Sequence, residues 1–175
     1  MTDMEVPTVK STAELLAHSL AFEIEASERY AELAGVMDHH NNDEVAEFFA
    51  TMSKVEGIHA NNLRRQAVEM NVGELPQLSS RWQSPEGPET IDFSDLHYLM
   101  SVRSALLLAR HNETRAVEFF SSIASQADSD ALRTLALEMA EEEREHVHLL
   151  DDWLAKHPED EETWEEDTDK PIGQD

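Results

Sequence analysis

The sequence predicts an all-α domain, a four-helix bundle with one long crossover between helices two and three. Three observations support this prediction. Gly and Pro are few, at 5 and 6 of 175 residues, apolar residues recur at three- and four-residue steps in four long segments, and the links between those segments run short, long, short. A chain of this length with 40% hydrophobic residues is large enough to bury a core.

Each predicted helix combines an apolar stripe with a capping residue. The helices are predicted at residues 12–39, 44–70, 101–126 and 131–156. Ser11 is the expected N-cap of the first helix, and Asn42 or Asp43 that of the second. Residues 71–93 hold three Pro, two Gly and several Ser, a loop composition long enough for a crossover, with one helical turn possible at residues 95–100.

The two halves of the predicted bundle are similar in sequence. Shifting the sequence by 90 positions lays Glu23 on Glu113 and Tyr30 on Phe120. Each half is therefore expected to be one helical hairpin. The bundle domain is predicted at residues 1–156, and residues 157–175 are predicted to form a flexible acidic tail.

Composition excludes several classes of protein. With 38 acidic residues against 13 basic ones, a net charge of −25, the chain is not expected to bind nucleic acid. It has no Cys, which excludes disulfides, thiolate zinc sites and iron–sulfur clusters, so any metal must be bound by oxygen and nitrogen. It shows no signal peptide or membrane span, and we expect a cytoplasmic protein.

One carboxylate falls within the apolar stripe of each predicted helix. These residues are Glu23, Glu56, Glu113 and Glu143. An ionised carboxylate in a core costs several kcal/mol unless a cation meets it. His59 and His146 follow two of these glutamates by three residues, on the same side of their helices.

A single Glu-x-x-His pair proves little in so acidic a sequence. A third pair, Glu145 with His148, lies on a polar face and is assigned to solvent. The alternative to a metal site is that some of the stripe carboxylates form buried ion pairs or face other subunits. The only basic candidates, Arg110 and Arg115, lie near Glu113 alone.

Four carboxylates and two histidines suit a pair of divalent iron or manganese ions, with zinc as a possible substitute. Four carboxylates also balance the charge of two Fe(II) ions, which favours a buried site. In this arrangement Glu56 and Glu143 would bridge the two ions. Glu23 and Glu113 would be terminal ligands, and His59 and His146 would each bind one ion.

The motifs that carry these residues resemble those of the ferritin-like di-iron carboxylate proteins, and most of all the rubrerythrin group. The motifs are Ala-Phe-Glu23-Ile-Glu-Ala-Ser-Glu-Arg-Tyr30, Glu56-Gly-Ile-His59 and Met139-Ala-Glu-Glu-Glu143-Arg-Glu-His146. The resemblance covers residues 11–156. It implies a ferritin-like bundle holding two iron ions that react with dioxygen or peroxide.

The chain departs from typical rubrerythrins in two ways that concern function. It has no Cys for a rubredoxin domain, so electrons would come from an external donor protein. It has Ala116 where those proteins carry an additional carboxylate on helix three, so the resemblance does not extend to their redox-linked ligand exchange.

The leading hypothesis is a non-haem di-iron oxidoreductase, a peroxidase or a ferroxidase, acting as a homodimer on peroxide or dioxygen. One alternative is an iron-storage ferritin subunit, which would elute from size exclusion as a large cage. Another is a non-catalytic helical bundle that binds a partner, which would purify without stoichiometric metal. No membrane or nucleic-acid partner is expected.

Two further expectations concern the core. Tyr30 is expected to pack there rather than serve a ligand, because Phe120 holds the equivalent position. Four methionines are expected to fill gaps in the core. They are Met37, Met52, Met70 and Met139.

Overall fold

The structure is a computed structural model that describes residues 8–73, 75 and 101–158. Within these ranges the chain forms four α-helices. They are α1 at Thr12–His39, α2 at Asp43–Glu69, α3 at Val102–Gln126 and α4 at Asp130–Lys156. The observed bounds confirm the predicted helices to within one residue. The predicted helical turn at residues 95–100 and nearly all of the predicted tail lie outside the described residues.

Every helix begins at a side chain that accepts a hydrogen bond from the backbone N–H three residues later. The capping residues are Ser11, Asn42, Ser101 and Ser129. Such a cap satisfies one of the free N–H groups of the first turn. Asn42, rather than Asp43, therefore caps α2. Asn41 makes the turn before it with a φ of 56°, a left-handed conformation that Asn adopts more readily than most residues.

The helices pair as two hairpins, α1 with α2 and α3 with α4. Two apolar clusters show how the hairpins are oriented. Leu15 of α1, Phe119 of α3 and Leu132 of α4 belong to the first cluster, whereas Phe49 of α2 and Leu150 of α4 belong to the second. The chain passes from the first cluster to the second along α1 and α4, and in the reverse direction along α2 and α3. Consequently α2 and α3 run parallel, and the segment between them must traverse the bundle.

The predicted core is largely confirmed. Met37, Met52 and Met139 are buried. Met70 is 41% exposed, so its predicted core role is wrong. The reason is that α2 ends at Glu69, and Met70 already lies in the turn beyond the last packed residue of the helix.

None of the helices in the described ranges is long and apolar enough to cross a membrane.

Candidate metal centre

Four buried glutamates separate the two apolar clusters of the bundle. Their relative exposure is 3% for Glu23, 0% for Glu56, 5% for Glu113 and 5% for Glu143. Each stands near the middle of its helix, with first-cluster residues on one side along the axis and second-cluster residues on the other. The structure therefore brings together in the interior the four carboxylates that the stripe pattern singled out.

The two histidines of the Glu-x-x-His pairs lie side by side within this layer. The rings of His59 and His146 stack with their centroids 5.3 Å apart and an interplanar angle of 6°. Glu56 faces both rings, its Oε1 lying 3.0 Å from the Nδ1 of His146 and its Oε2 lying 3.5 Å from the Nδ1 of His59. One carboxylate thus presents one oxygen to each half of the centre.

The remaining glutamates divide between the two histidines. Glu23 Oε1 lies 3.7 Å from the Nδ1 of His59. Around the Nδ1 of His146, Glu143 Oε2 lies at 3.4 Å and Glu113 Oε2 at 3.7 Å. The side chains thus form one half around His59 and one half around His146, and only Glu56 faces both rings.

Several of these atoms have no hydrogen-bond partner within the described part of the chain. They are Glu56 Oε1, Glu56 Oε2, His59 Nδ1 and His146 Nδ1, all of them buried. The 3.0 Å contact between Glu56 and His146 lacks the geometry of a hydrogen bond. Buried polar atoms are nearly always satisfied, so four unpartnered donor atoms in one layer fit a site that could hold a cation. Oxygen and imidazole nitrogen atoms at these spacings fit a divalent metal. Two groups within the six residues have the donors to hold an ion, Glu56 with His59 and His146, and Glu113 with Glu143 and His146, and they share His146.

Burial and mutual repulsion strongly perturb the metal-free carboxylates. Burial, together with the nearby carboxylates of Glu56 and Glu143, raises the pKa of Glu23 to about 12. Burial likewise raises the pKa of Glu143. Burial alone would also raise the pKa of Glu56, but the rings of His146 and His59 outweigh it and hold that pKa well below its usual range. Protons therefore occupy part of the centre when cations do not.

His146 is perturbed by the same neighbours. Burial alone would lower its pKa, but the carboxylates of Glu113, Glu143 and Glu56 outweigh burial and raise it. A metal ion that binds His146 must displace the proton that these carboxylates hold there.

Tyr30 contacts the centre, contrary to the expectation of core packing alone. Its side chain is buried, and its hydroxyl donates a hydrogen bond to Glu113 Oε1. Its ring stacks on Phe49, with the centroids 5.9 Å apart. Phe120 at the equivalent repeat position cannot donate a hydrogen bond, so the comparison between repeats concealed this role. The phenol orients one carboxylate of the centre.

The comparison with known proteins agrees with this geometry. The rubrerythrin family model matches residues 14–93 and 104–172, which include all six residues of the centre. The chain belongs to the rubrerythrin family. An uncharacterized conserved protein from Magnetospirillum magnetotacticum MS-1, of known structure, is similar with a TM-score of 0.73 and 37% sequence identity, over 86% of this chain and 97% of that one. No curated protein matches the chain.

Within the rubrerythrin family, the helix-three position occupied by Ala116 is of interest. Ala116 is buried and belongs to the first apolar cluster, beside Phe119 and Phe120. The side chain that would extend the ligand set from this position is a methyl group here. Glu113 is thus the only α3 residue among the metal-competent groups of the described chain.

The residues that sequence reasoning set aside lie where it expected. Glu145 and His148 are exposed. Arg110, a candidate partner for Glu113, instead pairs with Asp151 of α4. The structure therefore does not show the buried ion pair between Glu113 and Arg110 that was one alternative to a metal site.

Sequence reasoning missed Glu142. This glutamate is exposed, yet one of its oxygens lies within 4.8 Å of ligand atoms of Glu23 and His59. It directly precedes Glu143 and falls off the apolar stripe, so the pattern that identified the buried glutamates could not select it. The one feature of the sequence that could have identified Glu142 is its position directly before Glu143, a predicted ligand.

Proposed function

We propose that this rubrerythrin-family protein is a non-haem di-iron oxidoreductase that reduces peroxide or dioxygen, as a peroxidase or a ferroxidase. The observation that supports the proposal best is the convergence of the two Glu-x-x-His pairs, in which both Glu56 oxygens and the Nδ1 atoms of His59 and His146 are buried and lack hydrogen-bond partners among the described residues. A bundle that is stabilised by apolar packing alone would not contain this layer of carboxylates and histidines, because the layer interrupts the core and its burial costs free energy.

The proposed ligands are the six residues of the centre. They are Glu23, Glu56, His59, Glu113, Glu143 and His146. Glu56 suits a bridging role because one of its oxygens faces each histidine. Glu143 is proposed as the second bridge, with Glu23 and Glu113 as terminal ligands. Two iron ions per chain are proposed, and manganese or zinc would be bound by the same donors.

Two ferrous ions held by these six residues would supply the two electrons that, with two protons, convert one hydrogen peroxide molecule to two waters. The chain's own residues confine that chemistry. The two apolar clusters exclude bulk water from both ends of the centre. Tyr30 holds Glu113 through its hydroxyl, which keeps that carboxylate in one orientation as the charge of the site changes.

Electrons to restore the ferrous state are proposed to come from a separate donor protein, because the chain has no Cys for a rubredoxin-type centre. A homodimer is proposed as the working form.

The experiment that tests the proposal measures metal content and then reactivity. Anaerobically purified protein is expected to contain two iron ions per chain by elemental analysis. Addition of hydrogen peroxide or dioxygen should produce ferric absorption in the near ultraviolet, while chelator-stripped protein should show no change. Protein that contains no stoichiometric metal and takes up none from added Fe(II) would contradict the proposal.

A further inference from the structure

The two halves of the centre differ in their access to solvent. The His59 side chain is 23% exposed, whereas that of His146 is 5% exposed. Glu113, beside His146, is closed off further by Tyr30, which donates to it from α1. A cation arriving from solvent therefore meets the half built from Glu23 and His59 first.

Alignment of the two Glu-x-x-His pairs on each other makes this difference specific. The residue before the Glu-x-x-His pair of α4 is Glu142, and the residue before the pair of α2 is Val55. Val55 is partly buried and carries no ligand atom, whereas Glu142 is exposed and carries a carboxylate. The sequence thus places a possible ligand outside one half of the centre and an aliphatic side chain at the equivalent position of the other.

Glu142 reaches the open half. Its oxygen, a Glu23 oxygen and a His59 nitrogen all lie within 4.8 Å of one another. The Nδ1 of His59 is buried and has no hydrogen-bond partner among the described residues. Solvent exposure decreases along these three side chains, because Glu142 is exposed, His59 is partly exposed and Glu23 is 3% exposed.

We propose that Glu142 is a capture ligand, which binds a divalent cation at the open half and passes it to Glu23 and His59. This inference rests on the proposed metal centre and adds the route by which it is filled. Glu142 belongs to neither Glu-x-x-His pair, and in this proposal it is not a permanent ligand. It holds the cation only during transfer.

The physical reason is the cost of dehydrating a divalent ion. A divalent cation must exchange bound waters for protein ligands before it enters a buried site, and exchanging them one ligand at a time lowers the barrier to entry. The net charge of −25 attracts cations to the whole surface but does not direct them to one opening. A carboxylate at the opening supplies the first replacement for water.

The test measures the rate at which full-length, metal-free protein takes up Co(II), followed by its visible absorption in a stopped-flow instrument. Glu142→Gln is compared with wild type and with Glu145→Gln. The control removes the same charge from an exposed site on the same helix, which belongs to none of the metal-competent groups found among the described residues. We expect Glu142→Gln to slow uptake about tenfold, within the range of electrostatic steering effects, and Glu145→Gln to change it little.

The rate of metal release completes the test, because a capture ligand speeds both the entry of the cation into the site and its departure from it. Removal of Co(II) by excess chelator should slow by the same factor in Glu142→Gln, with stoichiometry and Kd unchanged. Equal uptake rates for Glu142→Gln and Glu145→Gln would overturn the inference, as would faster release with weaker binding, which indicates a permanent ligand. Wild-type protein that binds no Co(II) would instead refute the metal centre itself.

Discussion

Glu56 is the residue on which the centre depends most. It is fully buried, and each of its two carboxylate oxygens faces a different histidine. The histidines hold its pKa well below the usual range in spite of burial, so it remains ionised in the metal-free protein. No other carboxylate of the centre contacts both rings within the distances of an ion pair among the described residues.

Replacement of Glu56 should therefore abolish tight metal binding. For Glu56→Ala we expect affinity for Fe(II) or Co(II) to fall by more than about 100-fold, since losing even an outer partner of a metal ligand costs 10- to 100-fold. Equilibrium dialysis with elemental analysis measures this. Glu145→Ala and His148→Ala, which alter the exposed third pair, should retain two ions per chain. A Glu56→Ala protein that still holds two ions would contradict the ligand assignment.

At the scale of the elements, the helices must hold a charged layer in the middle of the bundle. Interruption of the core leaves two separate apolar clusters, each of which joins all four helices at one end. Phe49 of α2 links packing to the centre, because it is fully buried and stacks on Tyr30, whose hydroxyl reaches Glu113. A defect in the second cluster is thus transmitted to a proposed ligand.

We expect Phe49→Ala to lower the free energy of unfolding by about 3–5 kcal/mol, the usual cost of emptying a buried aromatic site. Urea denaturation monitored by circular dichroism measures the change. Leu149→Ala on α4 is the control, because Leu149 is 46% exposed and its loss should cost less than about 1 kcal/mol. Similar losses for the two variants would show that the second cluster is not packed as described.

For the whole molecule, the buried acids make stability depend on pH and on metal. The pKa of Glu23 is about 12 in the folded protein, against an ordinary value of 4.5. Between these values the folded chain keeps a proton that the unfolded chain has lost, so stability falls as pH rises. His146, whose pKa is raised above 6.5, acts in the same direction above that pH. The stabilising ionisation of Glu56 is already complete there and is lost only in acid.

The melting temperature of metal-free protein should accordingly fall from pH 6 to pH 9. Each proton that only the folded chain retains lowers the free energy of unfolding by about 1.4 kcal/mol for every pH unit. Added Fe(II), kept anaerobic, should raise it by replacing those protons, and a thousandfold excess over Kd is worth about 4 kcal/mol. Calorimetric scans with metal and with chelator measure both effects. Identical melting with and without metal would contradict a cation-stabilised interior.

Sequence alone determined the helices and the inward carboxylates. Caps such as Ser11 and Ser129 act on the backbone three residues away, and the apolar period identifies the buried face, so Glu23 and Glu113 stood out as acids on a hydrophobic stripe. These are local relations along one helix, which a linear sequence records directly.

Only the tertiary structure decided which side chains from different helices meet. The hydrogen bond from Tyr30 to Glu113 joins residues that are 83 positions apart, and the proximity of Glu142 to His59 joins α4 to α2. Periodicity identifies the face of a helix but not the neighbour that the face meets. Packing across the bundle therefore separated an open half of the centre from a closed one.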